Sequence, residues 1–571
     1  GGAMWDVVLS SSVTENGYDI VQCTGVPTLS LVLRVGDVVD FLSFGTPTGT
    51  DDTALLLSAV TTSVNKVLHF PPLTIATDML NIPSNSHWVL SAQTLLKATT
   101  GYGANDSVLE LSQTSNITID GNHATVQMIK AEYVTGEQRH GVRMVGASKV
   151  KISNLHSTDT GGDGFYIGTF PPVTPCSDIE LLNCFSDGAK RNGLSIVSGK
   201  NVWVRGGAYE NTVGTAPEFG VDIEPNVSTD MLENINLIGV KTTSNTKGGI
   251  QVVLGGLGET AKTYVSVNIV NCTSVTDGRD GSLRFANPAA FKISGSVNVD
   301  NFTSINPAGR GIDFANQSLL NPQTNLNNVT VINPAFSLVS PGNVDKSGLS
   351  LYTSTNNLTL TTGNISISNL KVIDNRVTPL VFSGIYLGGA YPTDNITLKN
   401  ITVETETATL VPKVIFAGDN TNIGLSSDNP QTILFTAGAG DIDRYSVGDI
   451  IDTTSGSTIT LGSASSKLGA VITYKPTTTT TKISPLSGDT FFFFGLPVSI
   501  GVFLEPRDSI TIRAVTGGWE LINSSFPLKT GSGSPVNIVS TRYIGREYFD
   551  TVGANHWLST GTTSADWKVI T

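Results

Sequence analysis

Ten times in the middle of this chain an apolar-x-apolar-x-Asn/Gly phrase returns, and that repeat narrows the fold more than any other feature. It begins at Ile117, Val150, Ile179, Val202, Ile235, Val267, Val297, Val329, Ile365 and Ile396. Four residues after each start stands Gly121, Asn154, Asn183, Gly206, Gly239, Asn271, Asn301, Asn333, Asn369 or Asn400. Asn and Gly accept a left-handed backbone bend at the lowest steric cost. The spacings run from 23 to 36 residues. A short strand, a fixed bend and another strand at this period describe the coils of a parallel β-helix.

Composition agrees. Only 14% of the 571 residues are charged, while Gly is abundant, which suits stacked coils with many turns and argues against long exposed helices. The formal net charge of −13 disfavours a nucleic-acid partner, because phosphate binding wants clustered Lys and Arg. No apolar run is long enough for a transmembrane helix, so membrane insertion is not expected. Phe491 to Phe494 reads as strand core or a subunit contact. Gly1-Gly2-Ala3-Met4 reads as a cloning remnant on a piece of a longer parent. Four cysteines are too few for a disulfide scaffold. Cys184 and Cys272 fall in the inward row with Leu155, Val240, Phe302 and Leu370, and are expected to be small core residues. Cys23 and Cys176 have no metal-ligand spacing, no metal constellation is visible, and no cofactor is expected.

The expected fold is all-β: a right-handed parallel β-helix with a short N-terminal helix cap, a C-terminal antiparallel β-sandwich and a small β-rich end module. Residues 1–45 read as a remnant plus adapter strands. Residues 46–115 hold a helix-capped opening and the first coils, where Thr50-Asp51-Asp52-Thr53 starts a helix over Ala54 to Val64. Residues 116–418 form the β-helix proper. From 419 to 527 the phrase vanishes and Thr- and Ser-rich alternating strands such as Ser457–Leu461 and Ser509–Val515 suggest the sandwich. Residues 528–571 carry Tyr543, Tyr548, Trp557 and Trp567 in a turn-rich module, whose aromatics suit packing, a subunit interface or sugar stacking.

Each coil contributes a second strand, usually opening with Gly, as in Gly164-Phe165-Tyr166-Ile167 and Gly220-Val221-Asp222-Ile223. Side chains alternate along a strand, so the apolar pair fills the lumen and the residue between them points out. Stacking yields one external row: Arg143, Tyr166, Ser195, Asp222, Gln251, Arg284, Asp313, Ser350 and Tyr386. Such a mixture of groups can grip a sugar chain running along the axis. Asp222 and Glu224 stand at i and i+2, with Cα atoms about 6.6 Å apart. Glycoside hydrolysis needs two carboxyl groups, one to protonate the leaving oxygen and one to activate water or attack the anomeric carbon. Val197 and Val253 in the Glu224 row are expected to desolvate that residue, favouring it as the acid. The plain alternative is a solvated surface pair.

A further row, Arg191, Glu218, Lys247 and Asp280, alternates in sign like a cross-strand charge ladder. Glu218 is also a candidate third carboxylate, and Arg191 a candidate for binding an acidic sugar. His140, Asp163 and Arg310 each precede a second strand and are candidates for the groove edge.

At these residues the sequence resembles the phage tailspike depolymerases of the pectate-lyase-like right-handed parallel β-helix superfamily. The likeness rests on Val39-Asp40-Phe41 with Gly49-Thr50-Asp51-Asp52-Thr53, on Arg191 to Gly199, on Gly214 to Asn226, and on Tyr543-Ile544-Gly545 to Ala565-Asp566-Trp567-Lys568. The resemblance implies a homotrimeric spike in the virion (phage tail), joined to other tail proteins through a missing N-terminal segment. It implies cleavage of capsular or O-antigen polysaccharide outside the bacterial cell, with acidic residues on the outer face as catalysts. Asp222 and Glu224 are then the catalytic candidates with Glu218 behind them. Arg191, Tyr166, Ser195, Gln251, Lys247, Arg284, Asp163 and His140 are the substrate-binding candidates.

Three activities compete. An endo-glycosidase would use the carboxylate pair. A polysaccharide lyase would need a base and a cation at a uronate, for which Tyr166, Lys247, Arg284 and Arg143 are the available groups. A non-catalytic glycan receptor would need only the external row. The excess of carboxylates over bases favours hydrolysis.

Overall fold

The computed structural model describes residues 4–171, 174–257, 264–286, 292–339, 341–352, 361–388 and 393–406, and shorter stretches from 411 to 570. It divides into two compact units, Gly1–Phe314 with Leu320–Asp345, and Ala315–Leu319 with Lys346–Thr571.

The first unit opens with a three-stranded antiparallel sheet in which Leu29–Arg34 lies between Met4–Leu9 and Ile20–Gln22. Helix α1 spans Thr53–Thr62 and buries Leu55, Leu56, Ala59 and Val60. Both aspartates of its start signal are used, for different purposes. Asp51 Oδ1 accepts the Thr53 N–H at 3.1 Å. The Asp52 carboxylate accepts the N–H groups of Thr48, Gly49 and Ala76 at 2.6, 2.9 and 3.0 Å, tying the helix start to the strand Thr74–Thr77. The carboxylate thus satisfies three backbone donors, including that of the buried Ala76.

Parallel pairing begins with Val38–Asp40 against Val67–Phe70 and proceeds coil by coil as a right-handed β-helix. The phrase starts lie in register from Ile117 through Val150, Ile179, Val202, Ile235 and Val267 to Val297. The bend residues Asn154, Asn183, Gly206, Gly239, Asn271 and Asn301 have φ between 48° and 66°. At Gly121 the left-handed bend falls later, on Asn122 and His123.

The phrase at Val329 is displaced. Val297 pairs with Thr324, and Val329 pairs with Phe302. The true bend of that coil is Asn328, while Asn333 closes a second corner. That corner is a row of its own: Asp159, Gly188, Asn211, Ser244, Thr276, Asn306 and Asn333 all have positive φ.

Cys184 and Cys272 are buried in the lumen as free thiols, as expected. A polar spine shares that lumen, with Ser157, Ser186, Tyr209, Thr242, Ser274 and Ser304 stacked in register. This spine explains why second strands open with glycine. A Cβ on Gly164 would come within 2.6 Å of the Ser186 Cβ, closer than real side chains approach.

In the second unit, Thr362–Asp374 pairs in parallel with Thr393–Lys399, with Ile365 opposite Ile396. Asn400 Nδ2 donates to Asn369 Oδ1 at 2.9 Å, a ladder between bends. Parallel pairing continues through Val414–Ala417, Thr432–Phe435 and Val447–Asp452 to Val471–Pro476, past the boundary expected at 418. Antiparallel pairs then appear, Val471–Pro476 with Ser509–Val515 and the latter with Gly518–Ser525. Lys529–Gly531, Glu547–Asp550, His556–Ser559 and Trp567–Ile570 form a four-stranded end sheet. Ser457, Leu461, Phe494 and the Tyr543–Gly545 stretch lie outside the described residues. Among the described residues no helix is long and apolar enough to cross a membrane.

Candidate active site

The second-sheet strands place one side chain per coil on a single line. Arg143, Tyr166, Ser195, Asp222, Gln251 and Arg284 are consecutive partners, and the line extends back through Glu110 to Asn81. Ser350 and Tyr386 are partners within the second unit.

The line was expected to be exposed, and much of it is not. Glu110, Ser195, Asp222 and Gln251 are all buried. The reason is a covering row formed by the residues that precede each strand. Asp163 N–H donates to His140 Nδ1 at 3.0 Å, Asn192 N–H to Asp163 Oδ1 at 3.0 Å, and Phe219 N–H to Asn192 Oδ1 at 3.0 Å. The Asn192 amide then donates to both Ser195 Oγ at 3.1 Å and Asp222 Oδ2 at 3.0 Å. Asn192 thus lies over the outer face and excludes water from Asp222.

Asp222 is 2% exposed, and its other oxygen accepts from Gln251 Nε2 at 2.8 Å. Burial, followed by the negative charge of Glu224, pushes its pKa well above the ordinary aspartate value. Each carboxyl oxygen has two acceptor sites, so Asp222 can carry a proton and keep both amide bonds. The desolvation expected at Glu224 therefore falls on Asp222. Glu224 stands just beyond the strand Phe219–Ile223, half-buried, with its N–H bonded to the Ile196 carbonyl at 3.2 Å.

Arg191 is the cation facing this pair. Its guanidinium is flanked by Asp163, Asp222, Glu137 and Glu224, and these four acids outweigh desolvation and hold its pKa up. Nη1 lies 3.8 Å from Glu137 Oε2, and the buried Nε has no hydrogen-bond partner among the described residues. His140 is fully buried and stacks on Tyr166 with ring centroids 4.7 Å apart. Burial holds His140 well below the usual histidine range. It also raises Tyr166 to about 12.

The alternating ladder does not close on itself. The backbones of Glu218, Lys247 and Asp280 are stacked as expected. Their charges look elsewhere, with Arg191 toward Glu137 and Asp280 toward Arg284 at 3.9 Å. Glu218 has a left-handed backbone, φ 57°, and its Oε1 accepts the Gly214 N–H at 2.7 Å, closing the preceding loop. Lys247 is exposed. Arg284 also lies 3.6 Å from Asp313, to which Arg310 is bonded at 2.9 Å. Arg143 is paired with Glu110 at 2.9 Å. Among the described residues no group of three or more His, Cys, Asp or Glu is arranged to hold a metal ion.

Asn192, Glu110 and Glu137 escaped sequence reading. Asn192 precedes a second strand as His140 and Asp163 do, so that offset was the available signal. Glu110 sits in Val108-Leu109-Glu110-Leu111, which lacks the opening glycine.

No protein-family model matches the sequence. An uncharacterised Bacillus subtilis protein, YclG, is 26% identical over 220 residues, covering 33% of this chain. The match spans 38% of that relative's length. Two solved structures illustrate the likeness in fold. A tailspike protein of Acinetobacter baumannii bacteriophage Fri1, a capsular polysaccharide depolymerase, is 14% identical with a TM-score of 0.46, over 69% of each chain. An endo-xylogalacturonan hydrolase from Aspergillus tubingensis is 12% identical with a TM-score of 0.43, over 68% of this chain and 99% of that one.

Proposed function

We propose that this chain is a polysaccharide depolymerase that hydrolyses glycosidic bonds at Asp222 and Glu224. The observation that carries the reading is a buried carboxyl, held by two amides and biased toward its protonated form, beside a half-buried second carboxyl and one arginine. In this mechanism Asp222 is the general acid: once the Asn192 amide moves off Oδ2 to admit substrate, its proton passes to the glycosidic oxygen as the bond to the anomeric carbon breaks. Glu224 is the base that takes a proton from the attacking water, or the nucleophile itself. Arg191 is the cation that stands near both carboxyls. Tyr166, stacked on His140, supplies an apolar wall for a sugar ring. Glu218 serves as a loop anchor.

The lyase alternative is weaker on this geometry. Arg143 and Arg284 are matched to acids, Lys247 is exposed, and burial makes the Tyr166 phenol reluctant to ionise. The sequence resemblance to tailspikes extends the proposal to a homotrimeric phage-tail protein acting on capsule or O-antigen from outside the cell. Incubation with purified capsular polysaccharide from a susceptible bacterium tests the chemistry. New reducing ends without ultraviolet absorbance support hydrolysis. Rising absorbance from an unsaturated uronate would make the protein a lyase, and binding with neither signal would make it a receptor.

A further inference from the structure

We propose that Asp163 is a positioning residue whose negative charge keeps the Asp222 carboxyl in its acid form, acting across the Asn192 bridge. This rests on the reading of Asp222 as proton donor.

Asp163 has no exposed surface, and its two oxygens have unequal surroundings. Oδ1 accepts the Asn192 N–H. Oδ2 has no hydrogen-bond partner among the described residues, although it lies 3.4 Å from His140 Nδ1. That contact is not an ion pair. Nδ1 already accepts Asp163's own N–H, which leaves the ring proton on Nε2, facing Gln138 Oε1 at 3.2 Å. A neutral imidazole whose lone pair is taken cannot serve as counter-ion. The cation left for Asp163 is Arg191, which Glu137 also engages.

The residue whose N–H holds Asp163 also holds Asp222 through its amide, so the two carboxyls are rigidly linked. The groups facing Asp163 are His140, Ser195, Arg191, Glu137, Tyr166 and Asp222; those facing Asp222 are Glu224, Gln251, Asp163 and Arg191, with Arg143 beyond His140. Two acids therefore add to burial in opposing a negative charge on Asp222, while Arg191 and the Gln251 and Asn192 amides favour it. Burial raises Asp163 to about 6, so it is charged at neutral pH and supplies this repulsion there. Orphaned acceptors of this kind are rare in native proteins, and here the orphan adds charge beside the proton donor.

Asp163→Asn tests the proposal. The amide oxygen keeps an acceptor for the Asn192 N–H, and its NH2 faces His140 Nδ1, so the change is close to isosteric. The pH profiles of kcat and kcat/KM on capsular polysaccharide are measured for wild type, D163N and D163E, with D222N alongside. In D163N the alkaline limb moves down by about one pH unit, because Asp222 then loses its proton more readily. D163E restores the limb towards wild type. An even loss of rate with an unmoved limb overturns the proposal, leaving Asp163 a purely structural residue. Should D163N fold poorly, D163S keeps an acceptor and gives the same reading. If D222N still cleaves, the acid assignment itself fails and this proposal with it. If D222N is inactive while the D163N limb stays in place, only the role of Asp163 is lost.

Discussion

The two sheets of the first unit obey the same alternation, yet their outer faces differ in kind. On the first sheet, Lys151 and Arg205 flank Glu180 at 3.4 and 3.5 Å, and Arg205 lies over the Trp203 ring at 4.3 Å. Further along, Asn236, Asn268, Asn298 and Asn325 form an unbroken amide ladder with bonds of 2.9 to 3.1 Å. Those groups are bonded to one another and, apart from the buried Asn236, partly exposed. On the second sheet the corresponding line is buried at Glu110, Ser195, Asp222 and Gln251, and together with Asp163 beside it holds acids biased toward protonation and orphaned atoms at Glu110 Oε2 and Asp163 Oδ2. Identical strand geometry thus carries a bonded amide ladder on one sheet and a line of buried acids on the other. On the second sheet the residues preceding three strands, His140, Asp163 and Asn192, bond from coil to coil, and Asn192 reaches Asp222.

The comparison is broken most severely at Asp222 and Glu224. D222N or E224Q should reduce cleavage by at least about 10³-fold, measured as reducing ends released per enzyme. E180Q or N268A on the first sheet should leave kcat/KM within about twofold. R191M should cost roughly 10- to 100-fold in kcat/KM, since it removes the cation set among four acids. A smaller effect separates the faces by pH. Asp163, Asp222, Asp277 and Glu110 are all raised by burial, so the folded state binds protons more tightly than the unfolded chain. Their stabilising contribution is complete below the unfolded value and is lost as pH rises through each folded value. For Asp163 the window runs from 3.8 to about 6, and its ceiling is about 3 kcal/mol. Urea unfolding should show greater stability near pH 5 than near pH 8, and D163N should flatten that slope. The smallest effect belongs to the first sheet, where E180Q should change stability by no more than about 1 kcal/mol in the same assay.

The coils were legible because apolar alternation sets register, and a one-residue slip would turn every lumen residue outward. The failure at Val329 shows the limit of that signal. Val329-Thr330-Val331-Ile332-Asn333 satisfies the phrase as well as its neighbours do, whereas the true start, Thr324, is polar. The line through Asp222 was legible for the same reason as the coils. Its burial was not, because it depends on Asn192 reaching from the adjacent coil over a strand that follows 27 residues later. Periodicity says which side of a sheet a residue faces. It says nothing of what lies on top, and so the desolvation was assigned to Glu224 from flanking valines when a side-chain amide delivers it to Asp222.

The central claim is that the covered carboxyl Asp222, with Glu224, performs hydrolysis. It is tested most directly by comparing wild type and D222N on one capsular polysaccharide, following binding, reducing ends and ultraviolet absorbance together. The account predicts reducing ends without absorbance for wild type, and undiminished binding with no cleavage for D222N. Cleavage by D222N at the wild-type rate, or absorbance rising with wild type, would contradict it.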